Sequence, residues 1–228
     1  GDMLSAALYE LLDETQKRRF LDTMNRLIPG VTVAAEKAVT CGIAGTHMAV
    51  EVRGQSEHSH DVALGAGEAA LHEHPHDHEH PHDHEHPHDH EHPHDHEHPH
   101  DHEHPHDHEH GHHHHHSGPA EIRAILNSLD VAEDVRQNAA AVYDRIAAAE
   151  AKAHGVDVAL MHFHEVGALD AVADVTAVCL AMSMLRPDTV VVSPVHVGCG
   201  QVRCAHGIMP VPAPATANLL RGVPCYGG

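Results

Sequence analysis

Residues 160–185 read LMHFHEVGALDAVADVTAVCLAMSML, and the periodicity changes once within them. Over 160–167 an extended chain would turn His162 and His164 to one side and Phe163 and Glu165 to the other. From about residue 168 to 185, Leu169, Val172, Val175, Val178, Cys179, Leu180 and Met182 fill a mostly apolar helix, broken only by Asp170 and Asp174. A short extended piece feeding a helix, in a chain where such units recur, predicts an α/β or α+β fold in a single globular domain.

Upstream, Val135, Ala139, Val142, Ile146 and Ala149 mark a long helix that Gly155 is placed to end. Before it, Ser117-Gly118-Pro119 opens a shorter helix with Ile122, Ile125, Leu126 and Leu129 on its apolar face. At the start of the chain, Leu4, Leu8, Leu11 and Leu12 repeat at helical spacing, and Phe20, Met24, Leu27 and Ile28 repeat it until Pro29-Gly30. Between residues 31 and 52, β-branched alternation around Cys41-Gly42-Ile43-Ala44-Gly45 predicts a hairpin or strand pair. Downstream, residues 189–192 read as a buried strand and 199–204 as another. A Pro-rich connector at 210–214 precedes a last short helix near 215–220.

Residues 72–116 break this pattern. They hold 25 His, 13 Asp/Glu, six Pro and one Gly, with no apolar residue, so they cannot bury a core. His-Glu-His-Pro-His-Asp repeats six times, and a Pro every sixth residue forbids a continuous helix or central strand. The chain therefore divides into a first folded part at 1–53, a His-rich disordered insertion at 54–118 and a second folded part at 119–228.

The formal charge is −21, of which the tract carries −13. Nucleic acid and anionic membranes are excluded as partners by this balance, which favours a bound cation. No run of 18 apolar residues exists, and five Cys at irregular spacing make no disulfide framework. With no basic, then apolar, leader at the start, the expected compartment is the cytoplasm, with reduced thiols.

Three constellations offer chemistry. His162 and His164 form half of a divalent-metal site, and Glu165, Asp170 and Asp174 bring carboxylates to the same strand-to-helix junction. The plainer alternative places Asp170 in the first turn against the helix dipole and Asp174 in solvent. Cys204 and His206 are soft and borderline ligands whose spacing matches no zinc knuckle; a buried thiol and a hydrogen-bonded imidazole are the alternative. The tract, through His72, His74, His76, His78, His80, His110, His112, His116 and their neighbours, offers many overlapping sites for Ni²⁺, Cu²⁺ or Zn²⁺. An expanded repeat without biological purpose is its alternative.

Several of these stretches resemble one family. Gly1-Asp2-Met3 is similar to the end of a Ser-Gly-x-x-Gly-Asp-Met motif. Residues 148–155 (AAEAKAHG), 162–174 (HFHEVGALDAVAD) and 205–216 (AHGIMPVPAPAT) follow in order. Together they resemble the LarC family, nickel-insertion proteins for the nickel-pincer nucleotide cofactor of lactate racemase. The resemblance implies a nickel cyclometallase of the lyase class, which uses CTP to place Ni²⁺ into pyridinium-3,5-bisthiocarboxylic acid mononucleotide. It also implies a C-terminal domain, in the same chain or separately encoded, holding CTP with Mg²⁺ or Mn²⁺. On this reading His162, His164, Cys204 and His206 handle metal, Glu165, Asp170 and Asp174 serve catalysis, and Asp2 binds the nucleotide-type substrate. The portion in hand would then be incomplete as an enzyme, and a homo-oligomer is compatible with it. A different class of function, a nickel store or metallochaperone working through the tract alone, fits the composition as well.

Overall fold

In the computed structural model, residues 2–56, 62–64, 117–163, 166–204 and 207–228 are described. Helix α1 (Asp2–Glu10) and helix α2 (Glu14–Leu27) open the chain. The turn between them is set by Asp13, whose carboxylate accepts from the N–H of Thr15 and of Gln16, both at 2.8 Å. The Gln16 side chain accepts in return from the Asp13 N–H at 3.0 Å. This reciprocal cap satisfies helix N–H groups that have no partner inside the helix.

Strands β1 (Val31–Thr40) and β2 (Ile43–Val52) form an antiparallel hairpin in register Val31↔Val52 to Thr40↔Ile43. Its two-residue turn, Cys41-Gly42, has both φ angles positive, 52° and 80°, which matches the right-handed twist of the flanking strands. Arg53-Gly54 repeats the device with φ 54° and 76° and leads into β3 (Gln55–Ser56), paired with β2. The Asn25 amide fixes α2 to the sheet: its Nδ2 donates to the Val33 carbonyl at 2.8 Å and its Oδ1 accepts from the Val33 N–H at 2.9 Å.

Beyond the change of composition at Arg53-Gly54, strand β4 (Val62–Leu64) pairs with β6 (Gln201–Cys204), which in turn pairs with β7 (Gly207–Pro210). Helices α3 (Pro119–Ser128) and α4 (Glu133–His154) follow, the second closed by Gly155 in the left-handed region at φ 68°. After α5 (Leu169–Leu185), β5 (Val195–His196) pairs in parallel with β8 (Cys225–Tyr226), and α6 (Pro214–Leu219) packs on α4.

Helix α5 is the centre of the core. It packs against α1, α2, α4 and the hairpin, and Val172, Ala173, Thr176, Ala177 and Ala181 are completely or almost completely buried. A helix apolar on most of its circumference must be covered on most sides. Phe20, Met24, Met48, Ile122, Leu126, Val135, Tyr143 and Phe163 complete the core.

The helices and the hairpin stand where the periodicity puts them, with four corrections. Helix α1 buries Ser5 and Ala6, while Leu4 and Leu11 are exposed; small residues let α1 approach α5 closely. On α4 the buried row runs through Val135, Ala139, Tyr143 and Ala147, and Val142 is turned outward. Residues 160–163 are not a strand: Val158–Leu160 is a 3₁₀ turn whose Asp157 carboxylate accepts from the Ala159 N–H at 2.8 Å, and 161–163 join no ladder. Residues 189–192 are likewise neither a strand nor buried, with Val191 88% exposed; β-propensity without a partner edge forms no ladder. The His-rich tract lies outside the described residues.

Candidate functional site

The loop between the 3₁₀ turn and α5 is clamped at both ends. Met161 and Phe163 are buried and His162, between them, is exposed, so the imidazole faces away from the core. The Phe163 N–H donates to the Ser117 carbonyl at 3.1 Å. Its ring meets the Tyr143 ring edge-on, with centroids 5.6 Å apart. On the far side of the His164-Glu165 pair, the Tyr143 hydroxyl donates to the Val166 carbonyl at 3.1 Å. One side chain of α4 thus holds residues on both flanks of that pair.

Gly167 tightens the same turn. A methyl group there would lie 2.8 Å from Phe163 Cβ and 3.2 Å from the Phe163 carbonyl oxygen. Contacts that short do not occur between real carbon atoms, so glycine is required by close approach and not by backbone conformation.

Immediately after the loop, α5 presents its two carboxylates. The Asp170 Oδ1 atom is buried and has no hydrogen-bond partner among the described residues. An unsatisfied buried carboxylate oxygen is costly and is retained at few sites. One turn later, Asp174 has its carboxyl held above the ordinary range by burial, with the carboxylates of Asp2 and Asp170 acting in the same direction. Burial also raises the Tyr143 phenol, and Asp170 and Asp174 add to the effect. Asp2, Asp170, Asp174 and Tyr143, from α1, α5 and α4, therefore share one electrostatic environment. Raised groups such as Asp174 and Tyr143 concentrate at functional sites.

Of the metal ligands expected from the sequence, His162 is in place on the loop, and Cys204 is half-buried at the end of β6, opposite Gly207. His164, Glu165 and His206 lie outside the described residues, as do His72, His74, His76, His78, His80, His110, His112 and His116. Among the described residues, no three His, Cys, Asp or Glu side chains are grouped closely enough to hold a metal ion. The structure adds Tyr143, Gly167 and Ser117 to the residues that matter. Tyr143 could have been found as the only aromatic of α4, four residues after Ala139. Gly167 carries no signal of its own in a sequence.

Comparison with known proteins gives this arrangement a context. The nickel insertion protein family matches residues 1–228, the whole chain. The chain belongs to the nickel insertion protein family. A relative from Clostridium acetobutylicum, named pyridinium-3,5-bisthiocarboxylic acid mononucleotide nickel insertion protein, is 40% identical over 230 residues, covering 100% of this chain and 48% of the relative. One of the same name from Nocardioides sp. is 54% identical over 108 residues, 47% of this chain and 28% of the relative. A putative nickel insertion protein from Geobacter metallireducens is 46% identical over 108 residues, again 47% and 28%. This nickel insertion family member thus spans about half the length of the curated relative that it matches from end to end. No solved structure matches it. No helix among the described residues of this family member is long and apolar enough to cross a membrane.

Proposed function

We propose that this chain carries the nickel-handling and proton-accepting part of a cyclometallase that inserts Ni²⁺ into pyridinium-3,5-bisthiocarboxylic acid mononucleotide. Two Ni–S bonds and one Ni–C bond form, and the ring carbon gives up its proton. The observation that carries this reading is the buried Asp170 oxygen, without a partner among the described residues, beside the raised Asp174 carboxyl, at the start of the helix that follows His162 and His164. A carboxylate with raised proton affinity is a stronger base, suited to accepting a proton from carbon. Asp170, Asp174 or Glu165 takes that role. His162 and His164, with Cys204 and His206, pass the metal to the thiocarboxylates, and Asp2 contacts the substrate.

On this proposal the tract of residues 72–116 collects Ni²⁺ from dilute solution, because alternating imidazole and carboxylate favours that ion over Mg²⁺. CTP and its Mg²⁺ or Mn²⁺ bind to a C-terminal domain, in the same chain or separately encoded, and the chemistry takes place in the cytoplasm. The reaction places the protein in the lyase class, with this portion inactive until the other half joins it.

The richness of the tract in His favours a second reading, a nickel store or metallochaperone that uses the tract alone. Nickel titration of a variant lacking 72–116, followed by calorimetry and absorption, separates the two. The insertion reading expects a stoichiometric site that disappears in His162→Ala/His164→Ala. If no binding remains once the tract is gone, nickel affinity belongs to the tract and the insertion reading fails.

A further inference from the structure

We infer that a groove between α2 and the C-terminal end of α5 is a binding site for a phosphate-bearing ligand of nucleotide size, separate from the carboxylate site. The groove encloses about 720 Å³, within the range of small-molecule sites. One wall is the α2 face bearing Gln16, Arg19, Thr23 and Arg26; Arg186 stands at the end of α5. Val131, Val135, Leu180 and Met184 supply an apolar lining between them.

Charge decides the ligand. The chain has 13 Lys and Arg among 228 residues, and three of these are arginines around this one groove. None of the three is in an ion pair among the described residues. Arg26 Nε donates to the Asp22 carbonyl at 2.9 Å, which steadies the guanidinium and leaves its terminal nitrogens available. Arg19 and Arg26 are two helical turns apart, about 10 Å at 1.5 Å per residue, a span that one small phosphorylated molecule can cover.

Two carboxylates, Asp130 and Asp134, also line the groove. Asp134 is engaged: it accepts from the Ser183 hydroxyl at 2.6 Å. Asp134 stays ionised, held low first by that hydrogen bond and also by the nearby Arg186, so the lining sets three guanidinium groups against two carboxylates and keeps a net positive charge, and planar guanidinium forks match phosphate oxygens in pairs.

The backbone at Arg186 gives an independent indication. Its φ of 46° and ψ of 56° place it in the left-handed region at the end of α5, where glycine is the usual residue. Pro187 follows directly, which restricts the preceding residue still further. A bulky cation retained where glycine would be easier fits a position kept for its side chain. Along α5, Asp174 is about 18 Å from this end, beyond the reach of one mononucleotide. The inference therefore stands whether or not the carboxylate site inserts nickel.

The test is calorimetric titration of the whole metal-stripped chain with inorganic pyrophosphate and with AMP. Both should bind, with affinity falling as salt rises. Arg19→Glu and Arg26→Glu should each weaken binding by about tenfold or more, the usual scale for a lost charge-assisted hydrogen bond. Arg186→Gly is the decisive variant: relief of the left-handed backbone should raise Tm while binding weakens, a combination that a purely structural arginine would not produce. Absence of binding by both probes, or binding undiminished in Arg19→Glu and Arg186→Gly, overturns the assignment.

Discussion

The Tyr143 hydroxyl donates to the Val166 carbonyl at 3.1 Å, from the middle of one helix to the loop that opens the next. The same ring packs edge-on against Phe163, so the His164-Glu165 pair is bracketed by two contacts to one residue. Tyr143→Phe keeps the ring contact and removes only the hydrogen bond. It should cost about 1 kcal/mol and, on the proposed function, reduce nickel insertion by the chain joined with its other half by a larger factor than that loss of stability explains. Insertion rates measured well below Tm, beside thermal melts, check this; activity equal to the parent would remove Tyr143 from the positioning of the loop.

Gly167 has no room for a side chain. Gly167→Ala forces a contact with Phe163 Cβ, a methylene bonded directly to the backbone that cannot swing aside. An expected loss of about 1–3 kcal/mol, the range for overpacking, should appear in urea denaturation, together with, on the proposed function, weaker nickel binding at His162. A variant as stable as the parent would mean that the turn relaxes without cost.

The pH dependence of Asp174 has a definite sign. Its carboxyl is raised in the folded protein, chiefly by burial, so the folded state binds the proton more tightly than the unfolded chain does. Ionisation of Asp174 therefore opposes folding as pH rises above about 4, the ordinary carboxylate value. Asp174→Asn should raise Tm at neutral pH, with the gain vanishing towards acid, and should slow insertion by about 10²–10⁴-fold if this group is the base. Melts across pH decide the first part. A lower Tm at pH 7 would show that the charged form is stabilised by its surroundings.

The cysteines should divide by exposure. Burial pushes the Cys179 thiol up to about 11, leaving it protonated and shielded, whereas Cys41, Cys199 and Cys225 are exposed. Thiolate is the reactive form. Iodoacetamide at mildly alkaline pH should label those three first and Cys179 only after unfolding, as mass spectrometry of digests would show. Early labelling of Cys179 would place it outside the core.

Periodicity alone determined the helices and the hairpin, because a helix must bury a face every three to four residues and Cys41-Gly42 accepts a tight turn. The motif on α5 was equally legible, since two carboxylates on an apolar helix stand out in one dimension. Some apolar runs misled for a physical reason. Residues 189–192 have strand propensity but no edge to pair with, and Val142 has a helical position but the wrong side of α4. Which elements meet is a property of the packed molecule. Only tertiary structure set Tyr143 against Val166, brought Asp2 from the first helix to Asp174, made Gly167 indispensable and gathered three arginines around one groove. Each of these depends on contacts between residues far apart in the chain, which local sequence pattern cannot encode.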